Sequence, residues 1–198
     1  MPRGPTLRTR FRFAVALPVL LAACASKPPP LPRDPPTLAP GMKGGLAWVQ
    51  LDQVDRGPTW VVERESSWKE GLVAAGPRNG PPTRTFTRLP DGRWRSGVID
   101  VEVSADRIIG PEVNVNFTRV NGGFLLAGLW LGRNVEFLID GSGASAQGIR
   151  FTREPDGAYV SREIPGWRVY LVGEAARLDA PSWPELPISI LCGGWGVR

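Results

Sequence analysis

The chain has no histidine at all, only two cysteines, and just three lysines among its 24 basic residues. Without imidazole, His-dependent catalytic triads and the HExxH zinc motif are excluded, as is acid–base chemistry by a side chain that ordinarily titrates near neutrality. An enzyme built on this sequence would have to use carboxylates, serine, lysine or tyrosine. No glycine-rich phosphate loop and no cluster of metal-ligating residues can be read from it, so neither a cofactor nor a metal is expected. Long apolar runs are missing too. The stretch from Phe13 to Ala23 has 11 residues, about half of the ~20 that a membrane-spanning helix requires.

An acidic surplus is also lacking: the net charge is +5 and the isoelectric point about 9.9. The excess is local. Arg3, Arg8, Arg10 and Arg12 precede Cys24 with no acidic residue among them, whereas residues 41–198 hold 18 Lys plus Arg against 18 Asp plus Glu. The folded part is formally neutral, which removes the electrostatic case for a nucleic-acid partner.

Four arginines followed by a short apolar run have the layout of an export signal over residues 1–23. The run ends in Leu21-Ala22-Ala23-Cys24, which resembles the bacterial lipobox. The resemblance implies cleavage before Cys24 and acylation of Cys24 with fatty chains such as palmitate. Each buried CH₂ of such chains adds about 0.8 kcal/mol of membrane affinity. Ala25, in place of an aspartate that would retain a lipoprotein at the inner membrane, points to the outer membrane, facing the periplasm. Residues 24–42, rich in proline from Pro28 to Pro40, read as a semi-rigid polyproline stalk. With Cys24 acylated, Cys192 has no intrachain partner; its setting in Ile188-Ser189-Ile190-Leu191-Cys192 predicts a buried, inert thiol.

Residues 43–198 read as one β-domain containing a repeat. Phe86-Thr87-Arg88-Leu89-Pro90-Asp91-Gly92, Phe117-Thr118-Arg119-Val120-Asn121-Gly122-Gly123 and Phe151-Thr152-Arg153-Glu154-Pro155-Asp156-Gly157 share a β-prone triplet followed by turn residues. Trp94, Leu125 and Tyr159 each stand two residues beyond the final glycine. Alternating apolar and polar residues follow, as in Ile99-Asp100-Val101-Glu102-Val103, so the repeats occupy about 86–103, 117–139 and 151–172. The expected fold is all-β: an antiparallel meander of repeated hairpins closing as a barrel or sandwich. One short helix is predicted near 68–75, where Ser67-Trp68-Lys69-Glu70 has capping-box spacing and Gly76 can end the helix.

Two resemblances touch on chemistry. Val135-Glu136-Phe137-Leu138-Ile139-Asp140-Gly141-Ser142-Gly143-Ala144-Ser145 resembles the retropepsin motif, which implies a catalytic role for Asp140 in an aspartic-protease-like hydrolase. The loop is one residue longer than the family's, and a second aspartate would have to come from a partner copy. Gly128-Leu129-Trp130 resembles the Gly-x-Trp of lipocalins, whose barrels hold apolar ligands. The eight tryptophans can stack on sugars or fill a core, and Trp94, Trp130 and Trp167, on predicted strands, are the candidate ligand contacts. The sequence therefore leads to a non-catalytic, membrane-anchored envelope lipoprotein that binds an apolar ligand, a glycan or another envelope protein. A carboxylate enzyme centred on Asp140 is the alternative.

Overall fold

A computed structural model describes residues 35–52, 59–179, 183–193 and 195. The expected export signal and Cys24 lie outside these residues. The alternation in the sequence becomes strand structure directly. In β8 (Val113–Val120), Val113, Val115 and Phe117 are buried while Asn114, Asn116 and Thr118 are exposed. In β10 (Arg133–Ile139), Val135, Phe137 and Ile139 are buried and Glu136 is exposed. Such a face must be hidden from water, and the chain hides it by closing the sheet.

The remaining strands are β1 (Gly44–Asp52), β2 (Thr59–Lys69), β3 (Leu72–Pro77), β4 (Arg84–Arg88), β5 (Trp94–Ser96), β6 (Ile99–Val103), β7 (Arg107–Gly110), β9 (Gly123–Trp130), β11 (Gly143–Ala146), β12 (Ile149–Arg153), β13 (Tyr159–Val160) and β14 (Trp167–Gly173). Each pairs antiparallel with its sequence neighbour, and β1 pairs with both β2 and β14, giving a closed barrel of 14 strands. Closure leaves no unpaired sheet edge. On β8 and β10 polar residues face outward and apolar residues inward, the reverse of a barrel that faces lipid; on β1 and β14 the outer face carries a small apolar cluster around Val49 and Tyr170. Among the described residues no helix is long and apolar enough to cross a membrane.

Each repeat is a three-stranded meander, β4–β5–β6, β8–β9–β10 and β12–β13–β14, with the short strands β7 and β11 as spacers. The turns set the phase. Arg88 pairs with Trp94 and Arg153 with Tyr159 across Pro-Asp-Gly loops whose final glycines, Gly92 and Gly157, both have φ +87°. In the middle repeat a two-residue Asn121-Gly122 turn pairs Val120 with Gly123 and Arg119 with Phe124. The residue equivalent to Trp94 and Tyr159 is therefore Phe124, which is fully buried, and not Leu125, which is half-buried. A loop one residue shorter shifts every following side chain to the opposite face.

The predicted helix at 68–75 is not formed. Trp68 and Lys69 end β2, Glu70-Gly71 form the turn, and Leu72–Pro77 return as β3. Ser66 and Trp68 face the same side and are buried, so sheet pairing outweighs the local alanine propensity. The one α-helix among the described residues, α1 (Glu185–Gly193), lies near the C-terminus. Leu186, Ile188, Ser189, Ile190 and Leu191 are all buried, leaving no polar stripe, as expected of a helix surrounded by protein. It joins the same apolar core as the inward strand residues and contacts the inner face of β2 through Ser66, so α1 fills the barrel. Trp195, beyond it, meets Trp48, Phe151 and Tyr159 edge-on at 6.4, 5.7 and 5.3 Å.

The last part of the proline-rich segment lies against the outer wall. Arg78 Nη1 donates to the Thr37 carbonyl at 3.3 Å, the Lys43 amide donates to Trp68 O at 2.8 Å, and the Glu174 amide donates to Lys43 O at 3.1 Å.

Candidate functional site

At one end of the barrel a cavity of about 400 Å³ opens among Arg84, Trp130, Leu131, Arg133, Val135, Phe137, Gln147 and Leu191. Its construction follows from strand alternation. Arg133, Val135 and Phe137 share the inward face of β10, with Arg133 at the strand's first position, where that face reaches the barrel rim. Arg84 stands in the same relation to Phe86 at the start of β4. Phe86 and Trp130 meet across the interior, five strands apart, with ring centroids 5.7 Å apart, and bring the two walls together.

Tight turns complete the rim. Leu131-Gly132 joins β9 to β10 with φ of +50° and +76°, and Gln147-Gly148 joins β11 to β12 with φ of +51° and +83°. Both are two-residue hairpin turns of the I′ kind. A bulky residue such as Leu131 rarely takes this conformation. Leu191 closes the cavity from α1.

The chemistry of the lining is lopsided. Trp130, Leu131, Val135, Phe137 and Leu191 supply apolar walls, and Arg84 and Arg133 supply two positive charges. Among the described residues neither arginine has an ion-pair partner, and no acidic residue lines the cavity. Trp130 is 5% exposed, and its buried indole Nε1–H has no acceptor. The indole Nε1–H groups of Trp48 and Trp195 are in the same state.

Cys192, beside Leu191, is a free, half-buried thiol. Burial pushes its pKa up to about 12, against a smaller opposing effect of Arg84. A thiol held protonated is a poor nucleophile.

Of the residues singled out from sequence, Trp130 lines the cavity. Trp94 is 1% exposed, packed in the core and paired with Val101, while half-buried Trp167 meets Trp48 edge-on at 6.3 Å. Asp140 stands elsewhere, just beyond β10, where its Oδ1 accepts from the Ser142 amide at 2.7 Å, the Ser142 hydroxyl at 2.6 Å and the Gly143 amide at 3.0 Å. The Ser142 hydroxyl above all, with these two amides, holds its pKa below the usual carboxylate value. This geometry caps a turn. Among the described residues no group of three His, Cys, Asp or Glu side chains could hold a metal ion. Arg84, Arg133 and Gln147 carried no signal in the sequence, because only barrel closure turns two strand-start arginines into one rim. Compared with protein-family models, with curated proteins and with solved structures, the chain matches none.

Proposed function

We propose that this chain is a lipid-anchored envelope protein, held through Cys24 to the outer membrane on its periplasmic side, whose barrel is a non-catalytic binding module for a small, largely apolar molecule. The observation that supports it best is the rim cavity, whose size falls within the ~300–1,000 Å³ typical of small-molecule sites and whose walls combine apolar side chains with two arginines and a glutamine. A glycan platform is less well supported. The tryptophans whose burial is described are all buried or half-buried, whereas sugar stacking needs an exposed ring face.

The anchor rests on Leu21-Ala22-Ala23-Cys24 and the charged, short apolar segment before it. Its test is metabolic labelling with an alkyne analogue of palmitate. The wild-type chain should take up label and sediment with outer membranes. Cys24→Ala should take up none and retain residues 1–23 by intact mass. Label persisting in Cys24→Ala would refute the anchor. Binding is tested separately, by native mass spectrometry of the purified chain against neutral and charged alkyl compounds. Failure of all of them to form a one-to-one complex would refute the binding module.

A further inference from the structure

We infer that the ligand of the rim cavity is a free single-chain amphiphile with an oxyanion head, its head held between Arg84 and Arg133 and its chain lying against Val135, Phe137 and Leu191. The inference rests on the binding-module reading and adds the ligand's charge and shape. Both arginines occupy inward-facing positions on strands whose next inward residues, Phe86 and Val135, are buried. Arg84 is half-buried and Arg133 exposed, so both guanidiniums stand hydrated at the cavity mouth with no carboxylate competing for them. The two converge on one cavity.

The hydrogen-bonding inventory of the rim points the same way. Arg84 and Arg133 only donate, and Gln147 can do either. A ligand that satisfies this set must accept. Carboxylate and sulfate oxygens accept from guanidinium forks in charge-assisted, often bidentate bonds. An acidic side chain, Glu112, comes near the rim turn, its carboxylate 3.8 Å from the position a Cβ would take on Gly132; among the described residues it does not ion-pair with either arginine. A volume of about 400 Å³ suits one alkyl chain rather than a two-chain membrane lipid, which commits the proposal to a free amphiphile.

The test uses the mature, lipidated chain in nanodiscs of phosphatidylcholine, with three photoreactive probes of equal chain length: a diazirine dodecanoate, the corresponding alcohol and the corresponding trimethylammonium. Label is located by peptide mass spectrometry. The acid should label the segments containing Trp130–Phe137 and Leu191, with the alcohol and the ammonium compound at about one tenth of that level, a difference of ~1.4 kcal/mol. Arg84→Gln with Arg133→Gln should abolish the preference, and Arg84→Lys with Arg133→Lys should restore part of it, with unchanged circular dichroism melting as the folding control. Equal labelling by acid and alcohol would overturn the anionic head while leaving the binding module standing. Labelling by none of the three would overturn both. Phosphatidylglycerol nanodiscs provide the last arm. If they suppress labelling by the acid in proportion to their lipid content, the occupant is a membrane lipid, and the free amphiphile is refuted.

Discussion

Ser66 on β2 and Ser189 on α1, 123 residues apart in sequence, meet hydroxyl to hydroxyl at 2.5 Å, and the Ser66 hydroxyl donates to the Ser189 carbonyl at 2.7 Å. Both residues are fully buried. Ser66 has one proton and gives it to the carbonyl, so Ser189 must donate to Ser66. The would-be Cβ of Gly193 lies 3.1 Å from Ser66 Cβ, so the last turn of α1 is seated at close range as well. These contacts set the position of α1 inside the barrel, and thereby that of Leu191 in the cavity wall.

An asymmetry between the two serines follows. Ser66→Ala strands the Ser189 hydroxyl, a buried polar group costing about 1–3 kcal/mol. Ser189→Ala leaves Ser66 still bonded to the carbonyl and should cost less, near the ~1 kcal/mol of one ordinary hydrogen bond. Urea unfolding of the two single variants and the double variant checks this. Equal costs that add in the double variant would show that the hydroxyls do not act as a unit.

A second buried polar cluster ties down the third repeat. Arg168, on the outward face of β14 yet only 8% exposed, pairs with Glu154 and with Asp156 from the β12–β13 turn. The Tyr170 hydroxyl donates to the same Asp156 carboxylate at 3.1 Å. In the first repeat the register-equivalent position holds Asp100, met by Arg93 and Arg95 at 3.0 and 2.8 Å; the same position is charged with the opposite sign. Asp156→Ala should destabilise by about 1–3 kcal/mol, since it removes a nearly buried carboxylate that accepts from both Arg168 and Tyr170, although Glu154 still pairs with the guanidinium. Glu154→Ala, at a more exposed carboxylate, should cost well under half of that. A reversed ranking in thermal melts would place the anchoring carboxylate on Glu154.

The strands, the repeat and the closed meander were legible because alternation with period two is a local signal and each hairpin is set by its own turn residues. The helix at Glu185–Gly193 was not predicted because burial on all sides erases the pattern a helix is recognised by. Glu185–Gly193 contains Pro187, two isoleucines and no polar stripe, and so reads as a strand-like apolar run. Pro187 is tolerated because it lies in the first turn, where amide hydrogens lack intrahelical acceptors. Conversely Leu72-Val73-Ala74-Ala75 has good helix formers, but Val73 and Ala75 are buried while Leu72 and Ala74 are half-buried, which is alternation muted by small side chains. The cavity was illegible because Arg84 and Arg133 are 49 positions apart in sequence and meet only through closure.

Asp140 gives an acid-side prediction. Its folded pKa is lowered, so the stabilisation is fully present above the unfolded value of about 3.9 and is lost as pH falls through the folded one. Asp140→Asn should melt below wild type at neutral pH, and the two curves should converge as pH falls through the lowered folded pKa. Capture of an alkyl probe should be unaffected. Loss of a hydrolytic activity in Asp140→Asn would instead revive the protease-like reading.

On the alkaline side the sign is opposite. An unfolded Cys192 thiol ionises near pH 8.5, but the folded one keeps its proton to about 12. Between those values the unfolded chain binds fewer protons, so stability falls as pH rises. Burial raises the Tyr159 pKa too, which extends the decline above about pH 10. Cys192→Ala should flatten the lower part of the decline. Iodoacetamide at pH 8 should leave the Cys192 peptide unmodified in the native chain and alkylate it in urea; rapid native alkylation would show an accessible thiolate.

Leu131 brings backbone strain and binding together. At φ +50° its side chain costs roughly 1–2 kcal/mol relative to a residue suited to that region, yet it lines the cavity and packs against the core. Leu131→Ala removes the packing and keeps most of the strain, whereas Leu131→Asn removes the packing but relieves the strain, because asparagine accepts left-handed backbone. The asparagine variant should therefore be the more stable of the two by about 1 kcal/mol in urea unfolding, against the ordinary preference for a small apolar residue beside a core. Both should capture the acid probe less well than wild type. If the alanine variant proves the more stable, Leu131 is not strained. If neither loses capture, the cavity wall does not include it. Lower stability of the asparagine variant than of wild type, together with weaker capture, would mean that leucine is kept there for both contacts at once, with the strained turn held in place by the packing it makes possible.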